Sequence, residues 1–225
     1  MGESFEERLE HVEQRISAAC EMAGRPRAGV RLLAVSKTKP PEAVRLAAES
    51  GVRRFGENRV QEAQAKIPLC PAGLEWHLIG HLQSNKAAIA ARLFRMIHSV
   101  DSLKVLQALD AHADMPLPIL LQVNVSGEAS KSGLKPDEVA GVIDAANAMQ
   151  RVEVHGLMTI PPFTPDPEKA RVHFRALRLL RDRLEQETGT PLPELSMGMS
   201  HDLEIAIEEG STWVRIGTDL FGERS

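Results

Sequence analysis

The chain has 225 residues, of which 43% are hydrophobic and 26% are charged, proportions typical of a globular protein. Its formal net charge of −4 at pH 7 argues against a protein that binds nucleic acid or an anionic membrane surface. No apolar run approaches the roughly 20 residues of a membrane span, and the acidic N-terminus lacks the basic and apolar regions of a signal peptide. Cys20 and Cys70 are too few for a disulfide framework, which predicts a cytoplasmic protein.

The first predicted element is an amphipathic helix over residues 5–23. Ser4 and Glu7 have the spacing of a capping box, and Gly24 follows the last apolar position. The apolar residues that recur at helical spacing are Phe5, Leu9, Val12, Ile16 and Ala19.

After this helix, strand-like and helical segments alternate. Strands are predicted at residues 31–36, 53–56, 75–79, 95–99, 118–125, 152–158, 192–197 and 212–216. Helices are predicted at residues 41–50, 57–66 and 82–93, after Asp101 as N-cap, from Pro136, from Pro167 after Asp166 as N-cap, and between Ser200 and Gly210. The alternation indicates parallel βαβ units, and the number of strands favours a closed (β/α)₈ TIM barrel over an open doubly wound sheet.

The predicted barrel lacks one helix. Residues 217–225, after the last strand, are too few for a full eighth helix, so we expect the N-terminal helix to cover that gap. We find no linker or repeat, and residues 1–225 are predicted to form a single domain.

Lys37 occupies the C-terminal end of the first strand, which is the end where active sites of such barrels lie. Burial there lowers the pKa of an amine, and a neutral amine can attack an aldehyde to form a Schiff base. The alternative is an ordinary solvated lysine, since most lysines are exposed.

The loops after the seventh and eighth strands suggest an anion site. Met199 and Ser200 follow Gly198 and precede a helix, so that backbone N–H groups and the Ser200 hydroxyl can meet an anion. Gly217 and Thr218 offer further donors from the neighbouring loop, and barrels frequently bind phosphate with these two loops. Alternatively, Ser200 is a simple N-cap and Gly217 a turn residue. A reactive lysine, a phosphate site and an arginine between them suggest pyridoxal 5′-phosphate.

Five motifs strengthen this interpretation: LAVSKT at 33–38, FGEN at 55–58, WHLIGHLQSNK at 76–86, SMGMS at 196–200 and RIGT at 215–218. Together they closely resemble the pyridoxal phosphate homeostasis protein family, whose members are single-domain relatives of the alanine racemase barrel. The resemblance extends from about residue 5 to residue 222, and the motif positions show no departure from the family pattern.

The resemblance implies a role for each of eight residues. Lys37 would hold pyridoxal phosphate as a Schiff base, in an internal aldimine. The phosphate would be bound by Ser200, Gly217 and Thr218, together with the Met199 backbone. Arg215 would face the pyridine nitrogen, and Asn58 and Met158 would line the ring.

Other sites are less well supported. Ser200, His201 and Asp202 are consecutive and cannot form a catalytic triad. His77 and His81 lack the context of a zinc motif, so no metal site is predicted, and His81 is interpreted as a structural hydrogen-bonding residue. The arginines between residues 175 and 183 predict a solvated helix face.

Two classes of function remain. The first is a protein that stores, buffers or delivers pyridoxal phosphate, with apo-enzymes as partners and without catalytic residues. The second is a Schiff-base enzyme such as an amino-acid racemase. Alanine racemases use a lysine and a tyrosine as opposed bases, and this chain contains no tyrosine. We therefore favour the binding protein, as a monomer or a weak dimer.

Overall fold

A computed structural model describes residues 3–128 and 132–222 of the chain. Parallel strands β1 to β8 form a closed barrel in which each strand pairs with its neighbours in sequence and β8 pairs with β1. The strands are Arg31–Val35, Arg54–Glu57, Glu75–Leu78, Met96–Val100, Leu117–Gln122, Val152–Met158, Glu194–Met199 and Trp213–Ile216. The predicted (β/α)₈ barrel is confirmed.

Nine α-helices, α1 to α9, accompany these strands in the described part of the chain. They are Phe5–Met22, Pro41–Glu49, Val60–Lys66, Ala87–Leu93, Leu103–His112, Val139–Asn147, Arg171–Thr188, Leu203–Glu208 and Thr218–Phe221. Asp166 caps a short 3₁₀ turn that begins at Pro167 and leads into α7, as the sequence predicts.

Four predicted helix starts are wrong. Helix α3 begins at Val60 rather than at residue 57, which ends β2, and α4 begins at Ala87 rather than at residue 82. The N-cap of α5 is Ser102, whose side chain accepts a hydrogen bond from Val105 N, whereas Asp101 contacts His81 instead. Helix α6 begins at Val139 rather than at Pro136, because Lys135 N is bonded to the Glu138 carboxylate in a preceding turn. The shifts of α5 and α6 come from side-chain hydrogen bonds that compete for the first turn of a helix.

The core has two layers on opposite sides of the strands. In β1, Leu33 and Val35 belong to a small apolar cluster, whereas Ala34 belongs to a large cluster that includes helix residues such as Val12 and Phe174. Successive side chains on a strand point to opposite faces, so the small cluster fills the barrel and the large one lies between barrel and helices. The small cluster inside the barrel consists of Leu33, Val35, Ile79, Met96, Leu120, Met158 and Trp213.

Helix α1 closes the outer ring, as expected. Ser4 and Glu7 form the capping box, with each side chain bonded to the backbone N–H of the other residue. The helix packs against α8 and the short α9, and Arg8 Nε donates to Leu220 O at 2.7 Å. The first helix therefore fills the place in the outer ring between α8 and α2.

The arginines of α7 do not form the simple solvated face that the sequence predicts. Arg171, Arg175 and Arg178 converge on the buried Glu209, with N–O distances of 3.3, 2.8 and 3.3 Å. The outer pair of Arg183 with Glu187 fits the prediction, since both side chains are about half exposed, and Arg175 is also 54% exposed despite its bond to Glu209. This cluster fastens α7 to the end of α8.

Within residues 3–128 and 132–222, no helix combines the length and the apolar character that crossing a membrane requires.

Candidate functional site

Lys37 lies two residues after the end of β1 and is half-buried at the C-terminal mouth of the barrel. The residue before it, Ser36, is fully buried and is bonded through its N–H to Gly56 O of the neighbouring strand. The residue after it, Thr38, has a φ of +63°, which is strained for a β-branched side chain. Lys37 thus projects from a fixed backbone position.

A buried ion pair supports this backbone. Lys66 Nζ donates to Glu57 Oε1 and to Ser36 O, both at 2.8 Å, and Ser36 Oγ donates to the same Glu57 oxygen at 2.7 Å. Glu62 accepts hydrogen bonds from Lys66 Nζ and from Thr38 N. Burial raises the pKa of Glu57, an effect that its bonds to Lys66 and Ser36 oppose. These side chains hold the residues on both sides of Lys37.

Arg215 lies inside the barrel near the same mouth, at the end of β8. Its side chain donates to Ser196 Oγ at 2.8 Å and to Thr159 O at 3.0 Å. No ion pair joins it to any of the residues that the structure describes, and burial lowers its pKa to about 10. Arg215 is therefore a buried cation that still carries its charge at neutral pH.

The loops after β7 and β8 meet each other at the mouth. Asp219 N donates to Ser200 Oγ at 3.4 Å, and a Cβ on Gly217 would lie 3.5 Å from the Cβ of Val35. Gly198, near the end of β7, has a φ of +91°, and a Cβ there would come within 2.5 Å of Ala206 Cβ, so this position requires glycine. Ser200, Gly217 and the end of β1 are thereby brought together.

Asn58 and Met158 lie beside this mouth after β2 and at the end of β6. Asn58 Oδ1 is buried, with no hydrogen-bond partner among the described residues. Gly80 packs so closely on Asn58 that a Cβ there would lie 2.2 Å from Asn58 O. Met158 is fully buried in the barrel interior. The next residue is Thr159, whose carbonyl accepts a hydrogen bond from Arg215.

Comparison with known proteins identifies the family. A family model described as alanine racemase, N-terminal domain, matches residues 8–225. A pyridoxal phosphate homeostasis protein from Aquifex aeolicus is 46% identical over 222 residues, which cover 97% of both chains. One from Pseudomonas aeruginosa is 49% identical over 97% of this chain and 95% of its own.

This chain belongs to the pyridoxal phosphate homeostasis protein family. A structure of PipY from Synechococcus elongatus with PLP bound has a TM-score of 0.82 and 38% identity, over 94% of this chain and all of that one. The resemblance inferred from the five sequence motifs is confirmed.

One residue in this member of the pyridoxal phosphate homeostasis protein family fits its predicted role less simply. Met199 N–H already donates to Asp202 Oδ1 at 2.7 Å, and the Met199 side chain is exposed. The Met199 backbone could bind phosphate only by giving up or sharing that bond. Its role stays a prediction, as do those of the other predicted site residues, which are Lys37, Asn58, Met158, Ser200, Arg215, Gly217 and Thr218.

A row of hydrogen-bonded polar side chains inside the barrel was not apparent from the sequence. His77 Nδ1 lies 2.9 Å from His98 Nε2, and His98 Nδ1 lies 2.8 Å from Ser196 Oγ, which receives Arg215. Burial lowers the pKa of His77 to about 3 and lowers that of His98 well below its usual value, so both rings are neutral at pH 7. This row of hydrogen-bonded side chains, His77, His98 and Ser196, therefore adds no second positive charge next to Arg215.

The remaining histidines of the motifs have ordinary partners. His81 Nδ1 lies 2.7 Å from Asp101 Oδ2 on the surface, which agrees with its predicted hydrogen-bonding role. His201 Nε2 is bonded to Thr164 O, away from Ser200 and Asp202. In the part of the chain that is described, no group of three or more potential ligands is placed to hold a metal ion.

Proposed function

We propose that this protein binds pyridoxal 5′-phosphate through Lys37 and takes part in intracellular homeostasis of the cofactor, by storing, buffering or delivering it. The observation that carries the proposal is Arg215, a buried cation at the same barrel mouth as Lys37. It forms no salt bridge with any of the described residues, and the buried Asp202 acts on it only at longer range. The hydrogen bonds of Arg215 to Ser196 Oγ and Thr159 O are both to neutral acceptors, and a pyridine nitrogen would be a further one. The PLP-bound relative PipY supports the same assignment.

The residues at the mouth fit the cofactor at both ends. Asn58 Oδ1 is buried and unpartnered, and it offers an acceptor beside the ring position. Ser200 and Thr218 offer hydroxyl groups, and Gly217, where a Cβ would lie 3.5 Å from that of Val35, adds no side chain beside them. These groups suit a ligand that is apolar in the middle and anionic at one end, and Met158 supplies the apolar surface.

When bound, pyridoxal phosphate supplies an aldehyde that condenses with an amine, with loss of water, to give a Schiff base. Lys37 provides the amine from a backbone position that Lys66, Glu57 and Glu62 hold. Arg215 keeps its proton at neutral pH and disfavours a second positive charge on a nitrogen that it faces.

The alternative is an amino-acid racemase or another Schiff-base enzyme built on the same lysine. A two-base racemase needs a second proton donor, and tyrosine, which alanine racemases use, does not occur in the chain. We therefore propose a carrier without catalytic residues, as one cofactor-binding unit over residues 1–225.

Location and partners follow from this role. We propose a cytoplasmic protein, which the free thiols of Cys20 and Cys70 support. Apo-enzymes that require pyridoxal phosphate are the proposed recipients, and a monomer or weak dimer is the proposed state.

An absorption spectrum with mass spectrometry tests the proposal. Protein incubated with pyridoxal phosphate and reduced with borohydride should carry the cofactor mass on the peptide containing Lys37. Lys37→Ala should remove both the visible band and the label. Lys39→Ala is the matched control, since Lys39 Nζ donates to Phe221 O beside the same mouth, and this variant should keep both. A label on another lysine in the wild type would refute the assignment of Lys37.

A further inference from the structure

Arg15 connects α1 to both loops of the proposed phosphate site. Its Nη2 donates to Ser200 O at 2.9 Å, and its Nη1 donates to the Asp219 carboxylate at 2.5 Å. Its Nε donates to Glu204 Oε1 at 2.6 Å, near the start of α8. All three guanidinium nitrogens are therefore engaged, and the side chain is only 23% exposed.

We infer that Arg15 is a positioning residue that fixes the geometry of the phosphate site, and this inference rests on the proposed function. Arg15 contacts the carbonyl of Ser200 rather than its hydroxyl, so the hydroxyl stays available to a ligand. It also holds Asp219, the residue after Thr218, and thereby sets the position of the Thr218 hydroxyl. Arg15 acts through these two loops and does not itself bind the cofactor.

The planar guanidinium suits this task better than a lysine. Its donors point in fixed directions, so that one side chain can hold a carbonyl and two carboxylates at set angles. The Asp219 N–H bond to Ser200 Oγ is long, at 3.4 Å, and would hold the two loops weakly alone. Arg15 is the stronger link across the same junction.

Arg15 also balances two negative charges close to the proposed anion site. Glu204 and Asp219 both pair with it, and the bond to Glu204 is the main cause of the raised pKa of Arg15. Without Arg15, these carboxylates would stand uncompensated beside a bound phosphate and would repel it. Loss of Arg15 should therefore weaken phosphate binding for a geometric and an electrostatic reason.

Affinities for pyridoxal phosphate and for pyridoxal, measured by absorption titration, separate this role from a general structural one. Arg15→Met should weaken binding of pyridoxal phosphate by about tenfold or more, the effect of one misplaced loop donor losing its charge-assisted hydrogen bond to the phosphate. Binding of pyridoxal, which lacks phosphate, should change by less than about threefold. Arg15→Lys should fall between wild type and Arg15→Met, because it keeps the charge and loses the planar donors.

Arg25→Met is the matched control. Arg25 follows α1 in the chain and donates to Ile207 O at the far end of α8, so it ties the same regions together away from the mouth. This variant should leave the ratio of the two affinities unchanged. Thermal unfolding of the apo-protein gives a second readout, in which millimolar inorganic phosphate should stabilise wild type and Arg25→Met more than Arg15→Met.

Each outcome distinguishes the inference from the function beneath it. A wild type that binds no pyridoxal phosphate refutes the proposed function and the inference with it. A wild type that binds the cofactor, with Arg15→Met showing an unchanged affinity ratio, refutes the role of Arg15 alone. Equal losses for both ligands would also refute it, because they would indicate general destabilisation. Circular dichroism establishes that each variant is folded.

Discussion

Lys66 Nζ and Glu57 Oε1 lie 2.8 Å apart beneath the peptide that carries Lys37, and Glu57 is fully buried. A buried ion pair stabilises a fold little compared with apolar residues of the same size, but it is costly to break. Lys66 also binds the carbonyl of Ser36, so the pair fixes the local backbone. Its importance therefore lies in where it places the amine of Lys37.

Removing Lys66 should destabilise the protein strongly. We expect Lys66→Met to lower the free energy of unfolding by about 3–5 kcal/mol, because it leaves the Glu57 carboxylate buried without its cation. Urea denaturation measures this loss. The double variant Lys66→Met with Glu57→Gln should recover part of it. Arg45→Met, which breaks an exposed pair with Glu42, should cost no more than about 1 kcal/mol. Equal losses for Lys66→Met and Arg45→Met would contradict the structural role of Lys66.

The phosphate should contribute more to cofactor affinity than the ring does. Ser200→Ala or Thr218→Val should each weaken binding of pyridoxal phosphate by roughly tenfold or more, since each removes a hydrogen bond to a charged group. Unmodified pyridoxal should bind wild type far more weakly than its phosphate ester. Thr190→Val, whose hydroxyl is bonded to Asn147 away from the barrel mouth, provides the control. Similar affinities for the two ligands would rule out a phosphate site in these loops.

The holo-protein should not process amino acids at an enzymatic rate. General acid–base catalysis typically contributes 10²–10⁴-fold, and the chain has no tyrosine to act as a racemase's second base. We expect no exchange of the α-proton of L- or D-alanine in heavy water above the rate with free cofactor. Proton NMR follows the exchange directly. Turnover near the enzymatic median of about 10 s⁻¹ would instead establish the racemase.

The free energy of unfolding should decrease as the pH is lowered below about 6.5, because of the buried histidines. The pKa of His77 is about 3 in the folded chain, against about 6.5 when unfolded, so the unfolded chain binds more protons between these values. Each pH unit in that window then lowers the free energy of unfolding by about 1.4 kcal/mol for this residue. His98 acts in the same direction.

Urea denaturation at pH 7 and pH 5 isolates this effect. His77→Gln should lose about 2 kcal/mol less than wild type between the two pH values, whatever its stability at pH 7. His155→Gln is the control, since His155 is half-buried on the surface beside Glu153. Matching losses in wild type and His77→Gln would show that His77 does not titrate as its burial implies.

Most of the barrel could be predicted because its strands are short apolar runs separated by turn residues. The largest exception among the strands is the end of β5, predicted at residue 125, whereas the strand ends at Gln122. Val123 and Val125 continue the apolar pattern. However, Asn124 N donates a hydrogen bond to Leu134 O, and Leu134 N donates one to Gln122 O. A change of hydrogen-bonding partner is a long-range event that local residue patterns do not record.

The candidate site could be predicted in the residues whose chemistry is unusual and not in those that support them. Lys37 and Arg215 attract notice because charged residues rarely end buried strands. Lys66 and Arg15 lie on helices, where lysine and arginine are usually solvated. Arg15 contacts Glu204 and Asp219, which lie 189 and 204 positions further along the chain. Its only signal in the sequence is its place beside Ile16, on the border of the apolar face of α1.

Closure of the barrel joins the two ends of its strand sequence, with Ala34 in β1 paired to Ile216 in β8. Ribosomes add about 5–20 residues per second, so roughly 10 to 35 seconds pass between synthesis of these two positions. For that time the free edge of β1 can pair with other chains, which is a route to aggregation. Slower translation of the codons between the two strands should therefore increase the fraction of newly made protein that aggregates, although the amino-acid sequence is unchanged.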